Sequence, residues 1–124
     1  MASSASSLRY ALIALASVLT APAAFAHAHL TQQNPAANTQ LSASPQALTM
    51  TFSEGIEPAF SGATLTGPKQ EQIKTGKATR NEQDKKQLII PLAQSLDAGT
   101  YTVDWHVVSV DGHKTKGHYT FSVK

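Results

Sequence analysis

No cysteine occurs among the 124 residues, so no disulfide can brace the fold and no lipid can be attached through a thiol. Long apolar runs are equally scarce. The one candidate, Tyr10 to Thr20 (YALIALASVLT), is too short for a bilayer span, which needs about 20 residues. No twin arginine precedes it, which argues against the export signal used by folded proteins. Neither sign of charge dominates: 10 Lys and Arg face 8 Asp and Glu, without the clustered basic residues of a nucleic-acid footprint. A single tryptophan leaves no aromatic platform for a sugar. Past residue 26 there is no convincing helical period of ten residues, no internal repeat and no linker rich in Gly and Ser.

What is present begins with an export signal. Arg9 supplies a positive n-region, Tyr10 to Thr20 an apolar h-region, and Pro22 a helix break. Ala24 and Ala26 are small residues at the two positions a signal peptidase reads. The sequence thus predicts a signal peptide over residues 1–26, general secretion, and a soluble product in the periplasm or outside the cell. Cleavage after residue 26 of 124 leaves 98 residues, 27–124, enough for one domain. A domain this small without disulfides needs a well-packed core or the added stability of bound metal. The new first residue is His27. Its free α-amine and its imidazole can bind one metal ion together, which an amide-blocked histidine cannot do.

Period-2 alternation dominates the rest. Leu48, Met50 and Phe52 alternate with threonines. Tyr101, Val103, Trp105 and Val107 alternate with Thr102, Asp104 and His106, and Tyr119, Phe121 and Val123 with Thr120 and Ser122. Each set predicts a half-buried strand. Ala63–Thr66 and Leu88–Ile90 are shorter candidates, separated by turn signals such as Gly67-Pro68, Asp97-Ala98-Gly99 and Asp111-Gly112. The expected fold is all-β, a Greek-key sandwich or barrel of about seven strands. The polar, mixed-charge stretch from Lys69 to Gln87 reads as a long loop or edge hairpin across Ile73, solvated on both sides.

The five histidines are His27, His29, His106, His113 and His118. Asp111-Gly112-His113 offers a carboxylate and an imidazole two residues apart, on one side of an extended backbone, with Gly112 permitting a bend. Asp-Gly is also a common turn, so a plain turn is the competing reading. His106 lies opposite the Trp105 face and His118 alternates with Tyr119, which points both outward. Trp105 reads as core.

The opening HAHLTQQNPAA, the segment TFSEGIEPAFSGATLTG and the ending AGTYTVDWHVVSVDGHKTKGHYTFSVK together resemble the CopC family of periplasmic copper-binding proteins, in its short, YobA-type branch. The resemblance implies a cupredoxin-like, Ig-like Greek-key sandwich. It implies a Cu(II) site of one ion per chain, with His27 binding by amine and imidazole, His113 by imidazole and Asp111 by carboxylate. Glu54 and His29 are weaker candidates, Glu54 because some relatives place a carboxylate near the site. Three nitrogens and an oxygen are the donor set that tetragonal Cu(II) prefers, and copper tops the divalent affinity order. Many members carry a methionine-rich loop for Cu(I). Here the methionines are Met1, lost with the signal, and Met50, on a core face, so no thioether Cu(I) site is expected.

His27-Ala28-His29 also places a histidine third after a free amine. Such an end can wrap Cu(II) with its amine, two deprotonated amides and the His29 imidazole, in competition with the folded site. Either mode needs neutral nitrogens, whose reference pKa values are about 7.7–8.0 for an α-amine and about 6.5 for an imidazole, so loading releases protons and weakens below about pH 5. The expected function is a periplasmic copper carrier or buffer, not an enzyme. The resemblance implies a CopD-like inner-membrane importer as partner, and small size with balanced charge favours a monomer. Two alternatives stand beside it. A copper-brace oxidative enzyme would also use an N-terminal histidine, but Asp111 would occupy the position needed for oxygen. A metal-free sandwich that binds another protein would leave the histidines incidental.

Overall fold

The three strong alternations all become strands with one buried face in a computed structural model that describes residues 28–124. The expected signal peptide and His27 lie outside the described residues. In chain order the strands are β1 (Leu30–Asn34), β2 (Gln40–Leu41), β3 (Ala47–Phe52), β4 (Gly62–Thr66), β5 (Gln72–Ile73), β6 (Thr79–Arg80), β7 (Gln87–Pro91), β8 (Gly99–Val108) and β9 (Lys114–Val123), with a 3-10 turn at Pro58–Phe60. They form a four-stranded sheet in the order β1-β3-β7-β6 and a five-stranded sheet in the order β2-β9-β8-β4-β5. Neighbours are mostly not consecutive, because the chain passes repeatedly from one sheet to the other, as a Greek key requires. The fold is the expected all-β sandwich. Among the described residues no helix is long and apolar enough to cross a membrane.

The core lies between the sheets. Leu48, Met50 and Phe52 of β3 and Leu88 and Ile90 of β7 face Tyr101, Val103, Trp105 and Val107 of β8 and Tyr119, Phe121 and Val123 of β9, all buried. Phe52 meets Trp105 across the two sheets at 5.2 Å between centroids, and Tyr101 meets Phe121 across neighbouring strands of the five-stranded sheet at 5.6 Å, both T-shaped. Opposite Trp105 on β9 sits Gly117, where an added Cβ would stand 2.5 Å from the indole Cζ2. The missing side chain makes room for the ring.

Two expectations are refined. The strands number nine among the described residues, not about seven, because β2, β5 and β6 have two residues each and carry no readable alternation. The stretch from Lys69 to Gln87 contains the expected edge hairpin across Ile73, β5 pairing antiparallel with β4 (Leu65 with Ile73), and then crosses to the other sheet, where β6 pairs with β7 (Thr79 with Ile89). It is not solvated on both sides, however. Ile73 and Ala78 pack against the core, and Arg80 donates from Nη1 to the Ile56 carbonyl at 3.1 Å. Edge backbone groups seeking partners made these strands, and side-chain patterning does not report that demand.

Candidate metal centre

β8 and β9 pair from Gly99–Val123 down to Val108–Lys114, so residues 109–113 form the turn at the hairpin tip. Ser109 continues the inward column of β8 and is fully buried. Its N–H donates to the His113 carbonyl at 2.9 Å, and the Gly112 N–H donates to the Ser109 carbonyl at 2.8 Å. Gly112 adopts φ +90°, a left-handed conformation that glycine tolerates without steric cost. The Ser109 hydroxyl donates to Asp111 Oδ1 and accepts from the His113 N–H at 3.3 Å. One buried hydroxyl thereby ties the carboxylate to the backbone of the imidazole.

The two side chains meet. Nδ1 of His113 stands 3.0 Å from Oδ2 of Asp111, with 47% and 44% of the respective side chains exposed. The hydrogen bond from Ser109, and then that from His113, push the Asp111 carboxyl down to about 2. The spacing suits a metal. Two donors about 2.0 Å from one ion, at right angles to each other, stand about 2.8 Å apart. A cation placed between them would take the position of the hydrogen they now share.

The start of the described chain arrives beside this turn. Ala28 is buried, and its carbonyl accepts from Thr115 Oγ1 at 3.0 Å, two residues past His113. The next residue is fixed as well. The His29 N–H donates to Ser53 Oγ at 2.8 Å, and the Ser53 N–H donates to the His29 carbonyl at 2.8 Å. The His29 residue itself is exposed. Residues 53–57 run along the end of β8, with the Val110 N–H donating to the Gly55 carbonyl at 3.0 Å and the Glu57 N–H to the Val108 carbonyl at 2.8 Å. Half-buried Glu54 therefore sits between one residue fastened to His29 and another fastened to the turn.

The structure thus brings Asp111 and His113 together and anchors Ala28 next to them, while His27 lies outside the described residues. Among the described residues no three His, Cys, Asp or Glu side chains form a metal-holding group, so the pair stands as two donors awaiting others. His106 and His118 are elsewhere, exposed on the outer face of the five-stranded sheet, as their alternation predicted. His118 faces Asp104 across the strands, and the His106 ring lies over Gly62, where an added Cβ would meet its Cε1 at 3.3 Å. Met50 is fully buried on β3. Sequence reasoning missed three hydroxyls, those of Ser53, Ser109 and Thr115. Ser109 left a signal: a polar residue at the next inward position after Val107, just before Asp-Gly-His.

Comparison with known proteins identifies the family and the fold. The CopC domain model matches residues 30–124. Protein YobA of Escherichia coli K12 is 71% identical over 124 residues, covering all of both chains. Copper resistance protein C of Xanthomonas campestris pv. juglandis is 35% identical, covering 95% of this chain and 96% of its own. Among solved structures, PcoC, a methionine-rich copper resistance protein from Escherichia coli, superposes with a TM-score of 0.71 at 38% identity, covering 80% of this chain and all of that one. This chain, with two methionines, lacks that enrichment.

Proposed function

The chain belongs to the CopC family, which includes proteins named for copper resistance, and on that premise we propose that it is a periplasmic Cu(II) carrier or buffer. The ion is held once per chain by the amine and imidazole of His27, the imidazole of His113 and the carboxylate of Asp111. The observation that supports this most directly is the 3.0 Å approach of His113 Nδ1 to Asp111 Oδ2 on an exposed turn. The anchoring of Ala28 by Thr115 adds to it. Residue 27 is joined by one peptide bond to Ala28, which is fixed beside the turn.

In this reading the protein binds and releases without catalysing. With a carboxylate, two imidazoles and an amine on the ion, the four equatorial positions of tetragonal Cu(II) are filled, and none of them remains for oxygen. The exposed pair at a hairpin tip suits transfer to another protein, and a CopD-like inner-membrane importer is the recipient we assign. Localisation follows from the proposed cleavage after Ala26, which both exports the chain and frees the amine.

The test is a copper titration of two forms of the exported protein, one starting at His27 and one carrying a single extra residue before it. Capping the amine removes one donor and is expected to lower affinity by at least about a hundredfold, above the range seen for outer-shell partners. Equal affinity in the two forms would remove His27 from the site. Turnover of ascorbate or peroxide by the copper-loaded form would instead favour an oxidative enzyme.

A further inference from the structure

We propose that the hydroxyls of Ser53 and Thr115 are positioning groups that decide which of two copper complexes the mature chain forms. The inference rests on the reading above, a chain that starts at His27 and binds Cu(II). Such a chain has a choice. In one complex, the amine and imidazole of His27 join Asp111 and His113. In the other, the ion is wrapped in a plane by the amine of His27, the amide nitrogens of Ala28 and His29, and the His29 imidazole. Forming that second complex releases the two amide hydrogens to solvent as protons, with no change in oxidation state.

The wrapped complex needs three successive backbone nitrogens to face one point, which curls residues 27–29 around the ion. The structure holds two of these residues against that movement. The His29 amide already gives its hydrogen to Ser53 Oγ at 2.8 Å, and its carbonyl is held by the Ser53 N–H at 2.8 Å. The Ala28 carbonyl is held by Thr115 Oγ1 at 3.0 Å, and the Ala28 side chain is buried in the core. Curling the backbone would break all three hydrogen bonds and lift Ala28 from its place. Ser53 directly follows β3 and Thr115 lies on β9, so the two anchors come from opposite sheets. They exist together only once the sandwich has closed. A folded chain is thereby steered to the complex that uses Asp111 and His113, and the amide complex is left to loosened or unfolded chains.

The experiment adds one equivalent of Cu(II) to the protein starting at His27, at fixed neutral pH, and records paramagnetic resonance and visible spectra. The parent protein is expected to give one signal, abolished by His113→Ala and unmoved by His29→Ala. Each lost hydrogen bond shifts the partition between complexes by up to about tenfold. The Ser53→Ala/Thr115→Val double variant should therefore gain a four-nitrogen signal, absorbing at shorter wavelength, that vanishes when His29→Ala is added. Ser53→Thr keeps a hydroxyl and should keep the parent signal. A double variant that is folded by near-ultraviolet dichroism yet shows the parent signal alone overturns the proposal and leaves the site reading intact. A parent signal that survives His113→Ala overturns the site reading itself. If the double variant does not fold, Thr115→Val alone makes the same comparison, and no gain of the four-nitrogen signal there overturns the proposal.

Discussion

The hydroxyl of Thr115 donates to the carbonyl of Ala28 across 87 residues of sequence, at 3.0 Å. This joins the first described residue to the last strand, close to the tip of the β8–β9 hairpin. Neither partner needs to bind metal for the contact to matter. The proposed site, joining a freed chain end to this turn, would need both fixed; the turn is held by Ser109, and residues 28 and 29 are held by Thr115 and Ser53.

Ser109 offers the sharpest test of how the pair is held. Its buried hydroxyl donates to Asp111 Oδ1 and accepts from the His113 N–H. Ser109→Ala removes both contacts without touching an expected ligand. Copper affinity is expected to fall by about ten- to a hundredfold, the usual effect of losing a partner that orients a ligand. The Asp111 carboxyl, measured by carbon NMR without metal, should rise towards its ordinary value. An unchanged carboxyl titration would mean that Ser109 does not hold it.

Asp111 also fixes how the site responds to acid. With its carboxyl held at about 2, below the ordinary 3.8, it stays ionised while the nitrogen donors take up protons. Release of copper on acidification is therefore set by the nitrogens. Asp111→Asn is expected to lower affinity by a constant factor between about pH 5 and pH 8, leaving the slope of affinity against pH unchanged. For the metal-free fold the sign is that of a depressed acid. Its contribution is complete above the unfolded value and is lost as pH falls towards 2. Titrations of the parent and Asp111→Asn proteins at matched pH values check the first point. An affinity ratio between the two proteins that changes across this range contradicts it.

Gly117 tests the packing beneath the hairpin. An alanine Cβ there would stand 2.5 Å from Cζ2 and 2.8 Å from Cε2 of Trp105, a rigid ring with core on its other side. Gly117→Ala is expected to destabilise the fold by about 1–3 kcal/mol, the usual cost of overpacking. Denaturant melts followed by Trp105 fluorescence measure this. A melt within error of the parent would show that the indole can move aside.

The sequence showed the long strands because burial on one face writes a period of two, as in Leu48-Met50-Phe52 and Tyr101-Val103-Trp105-Val107. It also indicated Asp111 and His113, since a carboxylate and an imidazole around a flexible glycine are readable as residue types. Of the short strands, β5 was legible only as one alternative, an edge hairpin across Ile73, and β6 not at all, because two-residue pairings at sheet edges depend on what lies beside them in space. The anchoring of residues 28 and 29 was hidden for a similar reason. Ser53 and Thr115 are ordinary strand-region residues until the sandwich places them against a segment 24 and 87 residues away.

Tyr119 lies on the same strand as Thr115, and its hydroxyl is buried with no hydrogen-bond partner among the described residues. Burial pushes its phenol up to about 12 from the ordinary 10.0. An unsatisfied buried hydroxyl costs about 1–3 kcal/mol, so Tyr119→Phe, which keeps the ring, is expected to stabilise the protein by about 1 kcal/mol. The raised phenol also sets a high-pH limit. A group neutral in the fold and ionised in the unfolded chain contributes fully below about 10, and that contribution is lost as pH rises through about 12. The parent should therefore lose stability between those values faster than Tyr119→Phe, which has no phenol there to ionise. Thermal melts of both proteins from pH 8 to pH 12 would show the two curves diverging. Parallel curves would place the Tyr119 hydroxyl in contact with water or a polar partner instead.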